Sequence, residues 1–350
     1  MFKSFSNKAI ATKARAMYGR RLRPADYEEL IKKRSVGDIA AYLRDGTHYR
    51  EVLGQVDASI IHRGQLEHFL RSLRYIQYQR LIAYDFGQQE IYRYLYVRDE
   101  IQQLLALLRY LSGRGQGQAG DRYDFHYDRS LLGHTSFDLE KLVTLKSYRE
   151  LVDFLGESPY GRILRRFPPD PSGQIDLMGC ERELAIFYYR HLLEISRKGT
   201  GKGEQEAIRQ MIYRRVDDEN ISRAYRLKRF FHRDKDFILQ NLLPFPTQSA
   251  RLIHRMAAAE SVAELHEILQ GARLAPAPAA DDPDGDFIES VILRDRYARS
   301  KRNLRNCQHP PVVLEAYMTQ MEIELENVVR IIESVRYGLP PNEIREMLIL

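Results

Sequence analysis

Three Ser-x-x-acid sequences recur along this chain, 112 and 114 residues apart, and each opens a short apolar helical pattern. They are Ser35-Val-Gly-Asp38, Ser147-Tyr-Arg-Glu150 and Ser261-Val-Ala-Glu264. A branched apolar residue follows each acid (Ile39, Leu151, Leu265), and a leucine lies four further on (Leu43, Leu155, Leu269). A serine hydroxyl can accept from the amide three residues later while the acid reaches back toward the serine amide, the capping-box arrangement. Glutamate suits the return contact better than aspartate, so the first box is the weakest. One box is common; three in register constitute an internal repeat, and a repeat restricts the architecture before any single residue is interpreted.

Two later helical stretches keep the same order. The first carries Glu67, Leu70 and Tyr75, then Glu181, Leu184 and Tyr189, then Glu289, Ile292 and Tyr297. Offsets of three and eight residues put these positions near one helix face. The second, longer stretch carries acid-x-x-amide: Glu100 with Gln103, Asp217 with Asn220, and Glu324 with Asn327. Breaks at residues 85–89, 198–203 and 307–310 separate the two stretches.

Nearly all periodicity is helical. Residues 90–111 line up Ile91, Leu95, Ile101, Leu104, Leu105 and Leu108, and residues 312–337 carry a similar stripe, the kind that buries against neighbouring helices. Strand-like alternation is hard to find. The expected fold is all-α, with three similar lobes in approximate threefold symmetry that either line up or close into a ring. Expected bounds are lobe 1 over 1–111, a flexible connection over 112–137, lobe 2 over 138–233, and lobe 3 over 234–350. The Gly-rich stretch 112–120 and the Pro-Ala-rich insert 275–286 read as mobile. Pro340 and Pro341 can open a last helix over residues 342–350. Read as a terminal appendage, that segment is expected to matter more for assembly than for folding.

Composition narrows the class. Hydrophobic residues make up 44% of 350, ample for cores, and with no Trp the 22 Tyr and 14 Phe carry aromatic packing. No run approaches the ~18 uncharged apolar residues of a membrane span. The N-terminus lacks a basic n-region and apolar h-region, and Cys180 and Cys307 have no metal spacing, so the expectation is a soluble chain on the cytoplasmic side. A net charge of +6, from 54 Lys plus Arg against 48 Asp plus Glu, permits an acidic protein partner or an anionic membrane face without demanding nucleic acid.

Catalytic signatures are missing. In Lys198-Gly-Thr-Gly-Lys202-Gly, Ser196 stands where a phosphate-binding loop needs its first glycine and Gly203 follows the lysine, so the stretch reads as a solvated turn. Gly113, Gly115 and Gly117 follow no strand. His62 with His68, and His126 with His134, lack metal spacing and read as surface residues. Asp38, Glu150 and Glu264 read as helix caps, and Glu67, Glu181 and Glu289 as carboxylates favoured by the helix dipole. An enzyme breaks its internal symmetry at one site, and no such site stands out. No catalytic, cofactor-binding or metal-binding residue is nominated. The run over residues 223–233, basic and aromatic, is the one RNA-like feature; it reads first as a helix whose Ile221, Tyr225 and Leu227 pack inward.

These motifs together resemble the central-stalk subunit of V/A-type rotary ATPases, called C in the prokaryotic enzyme and d in the eukaryotic vacuolar one. The resemblance rests on Tyr148-Arg-Glu-Leu-Val-Asp-Phe-Leu-Gly-Glu-Ser-Pro-Tyr160, Asp217-x-x-Asn220-Ile and Arg226-x-Lys228. The C-terminal part adds Pro311 with Tyr317, Glu322-x-Glu324-x-x-Asn327 and Gly338-Leu-Pro with Ile344-Arg; Ala14-Arg-Ala-Met17 and Thr47-x-Tyr49 also fit. The resemblance implies a funnel of three helical lobes acting as a socket. Its wide mouth would receive the rotor-shaft subunits, and its narrow base would sit on the cytoplasmic face of the membrane proteolipid ring. It implies a peripheral, non-catalytic part without cofactor or small-molecule ligand, in an ion pump or an ATP synthase. Lining and core positions share one helical stripe, so no partner-binding residue is nominated. The alternative is a cytosolic helical-repeat module binding RNA through arginine-rich helices, which would gather its basic residues on one continuous face.

Overall fold

In the computed structural model, which describes residues 2–87, 89–114, 131–198, 201–274 and 287–350, the chain is all-α and no strand occurs among the described residues. The first repeat is entered through α1 (Phe2–Tyr18) and α2 (Pro24–Ile31), and contains α3 (Val36–Gly46), α4 (Arg50–Leu53), α5 (Arg63–Ile82), a 3-10 turn (Glu90–Arg93) and α6 (Tyr94–Arg114). The second contains α7 (Leu139–Leu142), α8 (Tyr148–Leu155), α9 (Pro159–Leu164), α10 (Leu177–Ser196) and α11 (Lys202–Arg229). The third follows with α12 (Lys235–Gln240), α13 (Ala250–Ala258), α14 (Val262–Gly271), α15 (Phe287–Asn306), α16 (Pro310–Arg336) and α17 (Pro341–Met347). Residues 115–130 and 275–286, which hold most of the two stretches expected to be mobile, lie outside the described residues, as do Gly199 and Thr200.

The three serines cap their helices alike. Ser35, Ser147 and Ser261 take extended backbone with φ of −145, −143 and −137°, and their hydroxyls accept from the Asp38, Glu150 and Glu264 amides at 3.1, 3.2 and 3.1 Å. The return contact differs from expectation. Glu150 accepts from the Lys146 amide (2.9 Å) and Glu264 from the Glu260 amide (2.7 Å), the residue before the serine in each case. Asp38, one methylene shorter, makes no such bond to a described residue. The apolar positions behind the boxes form core: Ile39, Leu43, Leu151, Leu155, Leu265 and Leu269 are all at most 5% exposed.

Two turns share a further device that helical spacing does not reveal. Asp57 accepts from the Ser59 amide and hydroxyl at 2.9 and 2.7 Å, and Asp170 from the Ser172 amide and hydroxyl at 2.8 and 2.6 Å. Each Asp-x-Ser turn lies just before the helix that carries the Glu-Leu-Tyr face.

Packing crosses the repeat boundaries. The long helix of one repeat lies on an early helix of the next: α6 on α10, α11 on α13, and α16 on α5. Contacts gather the chain into two compact bodies, residues 1–92 with 289–350, and residues 93–288. Body 1 therefore joins the end of the chain to its beginning, with α16 also packed along α1 and α17 against α2. In α16 the burial is nearly all-round, which explains why its sequence is so rich in apolar residues.

The C-terminal segment is part of this body, not an appendage. Ile344, Leu348 and Ile349 are 1, 5 and 3% exposed, and Arg345 makes two bonds to the Glu28 carboxylate, at 2.9 and 2.6 Å. Deleting residues 342–350 should therefore cost on the order of 5 kcal/mol, since three buried aliphatic side chains contribute ~1.5–3 kcal/mol each. Thermal unfolding should show body 1 melting ~10 °C earlier; an unchanged melt would contradict this account. Asp38→Glu should supply the missing return bond, worth about 0.5 kcal/mol. Its check is a thermal midpoint that rises by ~1–2 °C while Glu150→Asp lowers it.

Candidate functional site: buried acid–amide joints

The acid-x-x-amide motif places two polar side chains on the same face of each long helix, one turn apart. All three acids are buried: Glu100 is 4% exposed, Asp217 7% and Glu324 5%. Burying a carboxylate is costly unless hydrogen bonds replace its lost water. Each acid finds at least one of those bonds in the segment leading into the following repeat's capping box.

Glu100 on α6 accepts from the Ser136 amide and from the Tyr160 hydroxyl (2.5 Å). Asp217 on α11 accepts from the Thr247 hydroxyl and from the Gln248 amide (3.2 Å). Glu324 on α16 accepts from the Leu22 amide (2.8 Å), with His48 Nε2 at 3.1 Å from its other oxygen. Ser136 precedes the second box, Thr247 and Gln248 the third, and Leu22 the first. The last repeat thus grips the entry to the first, as each earlier repeat grips its successor.

The amides add a two-bond clamp on backbone. Asn220 donates to the Leu243 carbonyl (3.1 Å) and accepts from the Leu243 amide (2.8 Å). Asn327 does the same to Ile349, at 2.7 and 3.0 Å. Both clamped residues are buried aliphatics, Leu243 2% and Ile349 3% exposed. The pattern breaks at Gln103, whose buried Oε1 has no hydrogen-bond partner among the described residues.

Tyr160 reinforces the joint at Glu100, and two other tyrosines are buried beside carboxylates. Burial, then the Glu100 charge, pushes the Tyr160 phenol above its ordinary range, so it stays protonated and donates. Tyr49 in the first repeat is fully buried, and burial followed by the Glu324 charge raises its phenol well above the ordinary value. It lies fourteen residues after Ser35, much as Tyr160 lies thirteen after Ser147. In the second repeat's helix pair, the Tyr189 hydroxyl donates to Glu219, and burial followed by that carboxylate raises its pKa well above the ordinary value.

This arrangement holds backbone in place, and its acids have their oxygens occupied by amide, hydroxyl and imidazole groups. The other sequence candidates fall where surface or structural roles put them. His62, His68 and His134 are exposed, with His134 stacked on Tyr96 at 4.8 Å; His126 lies outside the described residues. Glu67 pairs with Arg63 (2.6 Å), and Glu181 faces Arg223 (3.5 Å) and Arg109 (3.7 Å). Lys202 opens α11 directly after Gly201, and helix α10 precedes that turn where a phosphate-binding loop needs a strand. Cys180 and Cys307 are free, and burial pushes the Cys180 thiol up to about 11. Among the described residues no group of three or more His, Cys, Asp or Glu could hold a metal. A groove of about 250 Å³ in body 2 is lined by Ile163, Arg166, Glu183, Phe187, Arg190 and His191, among others, with Arg166 paired to Glu183 at 2.9 Å. In the basic run, Ile221, Tyr225 and Leu227 are buried as the spacing predicts.

The sequence does not single out His48, Leu243 or Ile349 as partners of the acids and amides. Thr47-x-Tyr49 and Ser158-Pro-Tyr160, at matching distances from their boxes, are the one signal that could have located the tyrosines.

Two comparisons with known proteins bear on this arrangement. The family model described as ATP synthase (C/AC39) subunit matches residues 10–347. The curated A-type ATP synthase component of Methanosphaera stadtmanae that carries the designation C is 24% identical over 227 residues, which is 62% of this chain. The match spans 58% of that relative's length.

The clamps can be tested one at a time. Asn220→Ala leaves a buried amide and carbonyl of Leu243 without partners, at a cost of about 2–4 kcal/mol. Hydrogen exchange should then accelerate about a hundredfold at Leu243, with Ile349 unaffected, and Asn327→Ala should do the reverse. Equal exchange at both sites in both variants would rule out independent clamps.

Proposed function

This chain belongs to the ATP synthase (C/AC39) subunit family, and we propose from that premise that it is the central-stalk subunit of a V/A-type rotary ATPase. On this reading it hydrolyses nothing. It is a socket of three helical lobes in pseudo-threefold array, coupling rotor-shaft subunits to the membrane proteolipid ring in an ion-pumping or ATP-synthesising complex. It would sit peripherally on the cytoplasmic face of the membrane.

The observation that carries the proposal is the set of buried joints. A part that transmits torque must deform little, and close-packed helices resist strain. Joints that hydrogen-bond one repeat's long helix to the next repeat's entry stiffen the boundaries where a repeat protein is otherwise softest. Peripheral attachment agrees with the absence, among the described residues, of any helix long and apolar enough to cross a membrane. Charge placement also supports a protein-coupling role. Arginines pair with carboxylates within each body, as in Arg74–Glu322 (3.1 Å) and Arg80–Glu51 (2.6 Å) of body 1 and Arg165–Glu157 (2.7 Å) of body 2.

Affinity purification of the tagged chain from gently solubilised membranes of its own host tests the proposal. Rotor-shaft and proteolipid subunits should co-purify. Recovery of the chain alone at physiological salt, or with RNA in place of those subunits, would defeat it.

A further inference from the structure

The two longest helices end alike. α11 closes on Arg229-Phe230-Phe231-His232, and α16 on Arg336-Tyr337-Gly338. In each, an arginine guanidinium lies over the first aromatic ring, at 5.8 Å for Arg229 on Phe230 and 5.7 Å for Arg336 on Tyr337. In each, the chain then turns through the left-handed region, with φ of 48° at His232 and 71° at Gly338. Glycine takes that conformation freely and histidine does not, so the turn after Phe231 is held against strain. Two bonds hold it: Phe230 N–H to the Arg226 carbonyl and Arg233 N–H to the Leu227 carbonyl, both 3.0 Å.

The held turn presents its rings outward. Phe230 is 44% exposed and Phe231 62%. Cations without an ion pair surround them, one of them, Arg233, lying over the Phe237 ring at 4.8 Å. Among the described residues Arg229, Arg233 and Lys235 have no carboxylate at ion-pair distance, and the exposed Arg251 and Arg255 of the adjoining α13 have none either. Beside them in sequence, Asp234 is occupied in capping α12, accepting from the Phe237 amide at 2.8 Å, and Asp236 is exposed.

We propose that this corner docks on the anionic headgroup surface of a lipid bilayer. Phe230 and Phe231 enter the boundary between headgroups and acyl chains, and Arg229, Arg233 and Lys235 face the phosphates. Amphipathic binding of this kind combines buried aromatic area with cations near an anionic surface. An RNA site would need a continuous basic groove with free ring faces, and here Arg229 already lies over the Phe230 ring. The inference rests on the proposed function only for bringing the chain to a membrane. In body 1 the Tyr337 that ends α16 is 70% exposed.

The test is co-sedimentation of the purified full chain with vesicles of phosphatidylcholine alone or mixed with phosphatidylglycerol. The chain should bind the mixed vesicles and not the neutral ones. Binding should weaken about fivefold for each cation removed, in Arg229→Gln and Arg233→Gln. It should be lost in the double variant Phe230→Ser, Phe231→Ser, and in about 1 M salt, where the Debye length is ~3 Å. Unchanged thermal melting of these surface variants confirms that they fold. Indifference of the unaltered chain to phosphatidylglycerol overturns the proposal. So does binding of polyuridylate that the phenylalanine variant abolishes while vesicle binding persists. Vesicle binding without co-purifying ATPase subunits would sink the proposed function and leave this inference standing; the converse result would do the opposite.

Discussion

A buried carboxylate on each long helix, hydrogen-bonded to the segment that enters the next repeat, is the interaction on which the rest of the structure depends. Leu22, Ser136 and Gln248 each give an amide to such an acid. A carboxylate removed from water must be matched by donors, and loop amides are the donors that a repeat protein has in surplus. The arrangement solves two problems with one contact. It satisfies polar backbone where an irregular segment passes over a core, and it fixes that segment's height against the helix. The following capping serine then starts its own helix from a fixed point.

The same contact explains why compact bodies and sequence repeats do not coincide. Glu324 and Asn327 reach Leu22 and Ile349, so the last long helix has its natural partners at the two ends of the chain. In an open repeat array the terminal repeats are polar caps with one neighbour each. Here the last repeat's acid is used by the first repeat's entry, and α16 is buried on almost every side. The C-terminal Ile349 is held as firmly as the mid-chain Leu243, by the same side chain at the same motif position.

Features set by local spacing are legible in the sequence. The three capping serines, the apolar residues behind them and the inward face of the basic run all follow from offsets of three and four. The acid and amide of each long helix are also legible as a recurring motif, but their partners are not. What Asn220 and Asn327 hold is backbone, which carries no side-chain signature, and Ser136, Gln248 and Leu22 differ in type because only their amides matter. Residues 342–350 mislead for a related reason: Ile344, Leu348 and Ile349 are apolar enough to mark burial, yet sequence position alone suggests an appendage. The return bond of the capping boxes shifts by one residue because glutamate is long enough to pass the serine and reach the preceding amide.

Gripping backbone in place of side chains has a consequence for how such a chain can change. A joint between two side chains requires both to be kept, and altering either leaves the other buried and unpaired. A joint from one side chain to backbone requires only the acid or amide on the long helix, since every residue except proline offers an N–H and every residue a carbonyl. The segments gripped through backbone alone, at Leu243 and Ile349, are then free to drift in sequence as long as their path is preserved. That freedom is compatible with a relative only 24% identical. It also concentrates the requirement of the two clamps on Asn220 and Asn327, while Glu100, Asp217 and Glu324 further need the Tyr160 and Thr247 hydroxyls and the His48 imidazole, and surfaces such as the turn at Phe230 and Phe231 remain available for contacts of their own.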